Sequence, residues 1–248
     1  MSFEIRKLSK SFPSGFRLGP IDLVAAKGTA LALLGPNGSG KSVLLRSASL
    51  VEPPDCGEIS LDDGSDTFNA AAPPQSNRRA WPKLTAVFQE YPLVPWRTVR
   101  GNLTLGRSAR SGGKVKLDEF ALNLLERLQL ADLPNGEARR LSGGQQQSLA
   151  LIAALCRHPD YLLLDEPTSA LDRTRIPILI ELLNEYKARG GTIICATHHL
   201  SFARGVCERY AFLSDGEIAE EGRSEALREN GEGEAVAYYF PSSRARWD

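Results

Sequence analysis

The chain has 248 residues, enough to bury a substantial core, and 42% of them are hydrophobic, as in an ordinary globular protein. Thirty basic side chains balance thirty acidic ones, so no field of one sign argues for nucleic acid or an anionic membrane as partner. Cys56, Cys156, Cys195 and Cys207 lack CxxC spacing, which speaks against a metal centre and for reduced thiols in a cytosolic setting.

In chain order, the opening MSFEIRKLSKSF alternates charge with apolar residues and lacks the apolar centre of a secretion signal. Within it FEIRKLS reads as a strand, TALALLG as another, and the residues after Lys41 as a helix. EISLDD and LTAVFQ are further strand-like runs, separated by DGSDTFNAAAPPQSNRRAWPK, a polar loop. Residues from about 91 to 159 break the rhythm: helix-like runs over 117–130 and 142–157, the polar loop GRSARSGGK, and no convincing strand. YLLLDE, TIICAT and RYAFLSDGEIAEEG then resume the strands, with helices predicted over 175–189 and 224–230. The longest apolar run, LALIAALC, falls short of the roughly 18 residues that span a bilayer.

Strands alternating with helices predict an α/β fold with a mostly parallel central sheet, and the early strands an antiparallel β region. We expect a single domain over 1–248, in which 1–90 and 160–248 form the core and 91–159 an inserted helical subdomain.

Three stretches carry chemistry. TALALLGPNGSGKS is a β run ending at Gly35, a loop, and a helix opened by Lys41 and Ser42, the context that G-x-x-x-x-G-K-[ST] requires. Gly35, Gly38 and Gly40 let the main chain of Gly35, Pro36, Asn37, Gly38, Ser39, Gly40, Lys41, Ser42 and Val43 wrap a phosphate chain, Lys41 reaches its outer phosphates, and Ser42 ligates magnesium. A plain glycine turn would leave the lysine and hydroxyl unexplained. YLLLDEP supplies carboxylates at the end of a buried strand, where Asp165 can hold magnesium and Glu166 can act as general base toward a water. In LSGGQQQ, Ser142 is an N-cap followed by two glycines, each costing about 1 kcal/mol relative to alanine in a helix. The apolar Leu149, Ile152, Ala153 and Cys156 follow at helical spacing. A first turn of bare amides and a hydroxyl suits an anion.

The phosphate loop, VFQ, LSGGQQQ, LLLDEPTSALD and TIICATHH, in this order, resemble the ATP-binding cassette (ABC) family of ATPases along nearly the whole chain. The resemblance implies ATP and Mg²⁺ as ligands, with Gln89 sensing magnesium and the coupling partner, which docks through the cleft around Gln89 and the helical insert, Ser142, Gly143, Gly144 and Gln145 facing ATP held by the other subunit, and Glu166 as general base. It further implies Asp172 as the intersubunit aspartate, His198 as the switch histidine, Lys41 on the phosphates and Phe12 stacked on adenine, with Phe16 the nearby alternative. Three departures stand out: Ser148 and the pair Ala153–Ala154 where arginines are usual, and His199 where the family usually has aspartate. None removes a phosphate ligand.

By the same resemblance the chain is a cytoplasmic ATPase, peripheral on the inner face of the membrane, that powers solute transport. Its partners would be a second ABC subunit, forming a homodimer, and separate permease subunits, with a solute-binding protein in an importer and no nucleic acid. VFQEYPLVPWRTVRGNL resembles importer ATPases for polar amino acids or for nitrate and sulfonates. The competing expectation is a soluble family member acting in nucleic-acid repair, translation or iron–sulfur assembly. An inactive regulatory cassette would have lost Lys41 or Glu166, and both are present.

Overall fold

The computed structural model describes residues 2–69, 80, 83–105, 117–229 and 231–241. A six-stranded sheet runs in the order β10 (Glu217–Arg223), β9 (Arg209–Ser214), β3 (Ala30–Leu34), β8 (Thr192–Ala196), β7 (Tyr161–Asp165) and β6 (Leu84–Val87). All its pairings are parallel except β9 with β10. A four-stranded antiparallel sheet, β2 (Arg17–Ala26), β1 (Ser2–Ser11), β4 (Cys56–Leu61) and β5 (Asp66–Asn69), lies alongside. The α/β expectation of a mostly parallel sheet with an antiparallel region therefore holds.

The central strands are buried on both faces, as parallel strands covered by helices or a second sheet must be, which is why they read as continuous apolar runs. Side chains alternate between two cores. Leu31 and Leu33 of β3, Leu163 of β7 and Ile194 of β8 join the core shared with the antiparallel sheet and with Leu44, Leu45 and Ala48 of α1 (Lys41–Ala48). Ala32 and Leu34, Leu162 and Leu164, Ile193 and Cys195 face the other way, toward a helical core. The helices there are α2 (Val99–Leu103), α3 (Glu119–Arg127), α4 (Gly143–Leu155), α5 (Arg175–Ala188), α6 (Leu200–Val206) and α7 (Glu234–Tyr239).

Between β6 and β7 the described residues contain α2, α3, α4 and a short 3₁₀ turn over Ala138–Arg140, and no strand beyond the single bridge Thr98 to Glu137. The loop GRSARSGGK and most of the polar stretch after Asp63 lie outside the described residues. Among the described residues no helix is long and apolar enough to cross a membrane.

Several elements differ from expectation. The strand β2 is absent from the sequence reading because Gly19, Pro20 and the outward-facing Val24 obscure its alternation. β5 was hidden in a stretch read as loop. The predicted helix over 224–230 shrinks to a 3₁₀ turn at Ser224–Ala226, and helix α7 follows instead. The helix α4 is buried nearly all round, from Gln147 to Ile152 and at Ala154 and Leu155, instead of showing one apolar stripe.

β3 is one of the strands on which both cores meet. Leu33→Ala is expected to lower the unfolding free energy by about 2–5 kcal/mol in urea titrations, whereas Leu122→Ala on the exposed face of α3 should stay within about 0.5 kcal/mol of the parent.

Candidate active site

Strands β3, β6, β7 and β8 are mutually parallel, so their carboxyl ends open on one edge of the sheet, the edge where ligands of α/β sheets bind. Each delivers one piece of chemistry there. The chain leaving β3 forms the glycine loop, the one leaving β6 carries Gln89, β7 ends in Asp165 and Glu166, and β8 leads to His198. The β1–β2 turn adds Phe12 and Phe16. Together these residues line a cleft of about 1060 Å³.

Positive φ at Gly35, Gly38 and Gly40 gives the loop its shape, and the space around the three differs. A Cβ on Gly35 would fall 2.0 Å from the Leu213 carbonyl oxygen, and one on Gly40 would press on Leu18 and Phe16. A Cβ on Gly38 would meet nothing within 4 Å, so this part of the loop is open to a ligand. Lys41 is only 8% exposed, and its Nζ donates to the carbonyls of Gly35 and Pro36, both at 2.8 Å. Burial pulls its pKa down, opposed by the carboxylates of Glu166 and Asp165. The buried Ser39 hydroxyl, in the loop but not among the residues lining the cleft, has no hydrogen-bond partner among the described residues.

Asp165 is 4% exposed, and burial raises its pKa, opposed by a hydrogen bond from the Ser42 hydroxyl. With the Gln89 side chain in the same cleft, the local donors are hydroxyl, carboxylate and amide oxygens, the set that suits a hard divalent cation.

Glu166 adopts φ +50°, a left-handed conformation that turns it out of the strand direction. Its N–H donates to the Ala196 carbonyl, and Nδ1 of His198 lies 2.9 Å from its Oε2. The histidine doublet is thus divided: His198 lines the cleft, while Nδ1 of His199 pairs with the Ser201 hydroxyl at 3.1 Å.

The two phenylalanines pack with ring centroids 6.0 Å apart, and both line the cleft. Phe16 also packs against the core beneath the antiparallel sheet, which leaves Phe12 the less committed ring.

Ser142, Gly143, Gly144, Gln145 and Asp172 do not line this cleft. Ser142 caps α4 in a reciprocal box with Gln145: the Ser142 hydroxyl accepts from the Gln145 N–H, and the Gln145 Oε1 accepts from the Ser142 N–H. Gly144 has a packing reason of its own, since a Cβ there would lie 2.6 Å from the Ala170 carbonyl oxygen. Asp172 accepts from the N–H groups of Thr174 and Arg175 and from the Thr174 hydroxyl, which lowers its pKa. Ser148, where arginine was expected, is fully buried, and its hydroxyl is unpaired among the described residues.

Sequence reasoning missed Ser169, Tyr238 and Tyr239, which also line the cleft. The Gly35 N–H points at the Tyr239 hydroxyl, 3.4 Å away, and burial pushes that phenol up to about 12. The adjacent tyrosines were the only available signal, and nothing local ties them to a loop 204 positions earlier.

The contrast among glycines is testable. Gly35→Ala should cost more than about 2 kcal/mol in chemical denaturation, because overlap adds to left-handed strain, while Gly38→Ala should cost about 1 kcal/mol yet weaken ATP binding at least about tenfold in a nucleotide titration.

The ABC transporter family model matches residues 18–169. The chain is 37% identical over 229 residues to the L-cystine transport system ATP-binding protein of Escherichia coli, covering 91% of this chain and 92% of that one. It is 36% identical to the arginine transport ATP-binding protein of Bacillus subtilis, with 88% and 90% covered. Among solved structures, an ATP-binding cassette captured as a dimer in a post-hydrolysis state with ADP and Pi superposes with a TM-score of 0.77 at 27% identity, covering 90% of this chain and 98% of that one. The ATP-binding subunit of an ABC transporter superposes with a TM-score of 0.78 at 25% identity, covering 98% and 100%. A glycine loop, a carboxylate pair and a histidine brought to one sheet edge, in a chain related along most of its length to these proteins, make this a member of the ABC transporter family, an ATP-binding subunit that hydrolyses ATP to power transport.

Proposed function

We propose that the chain is the cytoplasmic ATPase, at the inner face of the membrane, of an importer for polar amino acids, working as a homodimer on separate permease subunits. The observation that carries the catalytic part is the meeting of Lys41, Ser42, Gln89, Asp165, Glu166 and His198 in one cleft. In this reading the amides of Gly35 to Val43 cradle the phosphates, Lys41 neutralises the outer two, and Phe12 stacks on the adenine. Ser42, Asp165 and Gln89 would hold Mg²⁺, which when bound offsets phosphate charge. Glu166 takes a proton from the attacking water, and His198 holds the Glu166 carboxylate and contacts the γ phosphate.

Two copies pair head to tail, so that Ser142, Gly143, Gly144 and Gln145 of one subunit meet the nucleotide held by the other, with Asp172 at the joint. The exposure of Ser142 and Gly143, at the start of this turn and away from their own cleft, supports this arrangement. So does the dimeric, ADP- and Pi-bound state of the related cassette. Residues 91–159 form the helical subdomain that carries this turn. The polar amino-acid assignment rests on the names of relatives, which transport cystine, arginine and glutamate.

The permease seat is a groove of about 250 Å³ between the edge strand β6, Pro92, Leu93, Asn102 and the small side chains of Ala150, Ala153 and Ala154. Alanines stand where the family often has arginine, and Arg157 supplies a cation at the edge of the same groove. Asn102 braces its rim: its Oδ1 accepts from the Val94 N–H and its Nδ2 donates to the carbonyls of Val94, Arg97 and Thr98, a loop that carries the solvent-exposed Trp96.

Glu166→Gln should lower turnover about 10²–10⁴-fold, the range for a lost general base, and accumulate ATP-bound dimers in size-exclusion chromatography. A variant that stayed monomeric with ATP and hydrolysed at the parent rate would refute the role. Filling the groove with Ala153→Arg should abolish copurification with membrane proteins from detergent extracts while ATP binding stays within about twofold; undiminished copurification would move the docking site elsewhere.

A further inference from the structure

The side chain of Gln147 is 1% exposed, and the chemistry above makes no use of it. It lies on α4, three residues beyond Gly144, and its amide reaches across to the turn that follows β7. Nε2 donates to the Glu166 carbonyl at 2.9 Å and, at 3.4 Å, to the Ser169 hydroxyl, while Oε1 accepts from the Ala170 N–H at 3.0 Å. Both ends of one amide are therefore spent on one turn, a fit that only one orientation of the side chain satisfies. Gly144 adds a second contact to the same turn through the close approach of its α-carbon to the Ala170 carbonyl.

The turn so gripped begins in a left-handed conformation. A non-glycine residue at φ +50° persists only where its surroundings over-determine it. The Glu166 N–H is fixed by Ala196 and its carbonyl by Gln147, so the direction of the carboxylate depends on a side chain anchored in α4. The first turn of that same helix is the 142–145 segment. A displacement of α4 by a ligand at its start moves an amide that is rigidly bonded to the backbone of Glu166, since close-packed buried elements transmit shifts instead of absorbing them.

We propose that Gln147 is a positioning residue that couples the 142–145 turn to Glu166 of the same subunit, so that ATP held in one cleft of the dimer sets the general base of the other. The coupling rests on the head-to-tail arrangement proposed above. Gln147 acts on the reaction only through the backbone of Glu166 and the turn to Ala170.

The test uses the full-length protein and two substitutions. Gln147→Met has similar length and no hydrogen bonds, and Gln147→Glu keeps an acceptor for the Ala170 N–H but loses the donor to Glu166, so it decides the matter if the methionine variant does not fold. ATPase rates against ATP concentration give kcat, KM and the Hill coefficient, and ATP-dependent dimerisation is read in a Glu166→Gln background. The expected result is a parent Hill coefficient above 1, and variants with kcat lowered about tenfold or more, KM within about threefold, a Hill coefficient of 1, and dimerisation retained. Variants with the parent's kcat and Hill coefficient would overturn the proposal while leaving the dimer reading intact. So would a lower kcat with cooperativity unchanged, which is what mere loosening of the fold would give, or a parent that shows no cooperativity. If Glu166→Gln alone stays monomeric with ATP, the head-to-tail reading fails and the coupling falls with it.

Discussion

Parallel alignment of β3, β6, β7 and β8 is the constraint on which the rest of the molecule depends. Parallel strands must all end on the same side, so residues far apart in the chain, from Gly35 to His198, converge without any one loop having to reach far. The same arrangement forces both faces of the sheet to be covered. The antiparallel sheet with α1 covers one face and the helices from α2 to α7 the other, and the five residues of β3 alternate between the two cores. Chemistry at the edge and stability in the middle are thus consequences of one register.

Within the cleft, charge is handled by pairing. A buried ammonium beside two carboxylates is tolerable because the three offset one another, with Lys41 also held by loop carbonyls and Asp165 by the Ser42 hydroxyl, whereas Glu166 Oε2, 2.9 Å from His198, makes no hydrogen bond among the described residues. Burial still dominates, lowering the lysine and raising the aspartate. Both shifts favour neutral forms, and a triphosphate with a divalent cation would reverse that balance by supplying charges of both signs.

Much of this was legible in the sequence because the informative residues follow local rules. The glycine loop is a strand, turn and helix in succession, Asp165 and Glu166 end an apolar run, and Ser142 stands where an N-cap is favoured. Of the two histidines, His198 lines the cleft and the His199 ring pairs with Ser201. What was not legible depends on partners distant in sequence. β2 is recognisable as a strand only once β1 is beside it, α7 only once β10 supports it, and Tyr239 only once Gly35 lies opposite. Gln147 reads as one more polar residue in a glutamine run until the turn from Glu166 to Ala170 is seen to enclose it.

The lysine of the glycine loop has a further consequence. An ammonium carries three protons, and two of those on Lys41 are directed at the carbonyls of Gly35 and Pro36. The remaining one leaves along a single bearing, which makes the group a pointer and not merely a diffuse source of positive potential. Arginine would keep the charge but spread it over a flat fork of five donors, so an exchange at position 41 would trade a compact, aimed ammonium for a planar group of different reach.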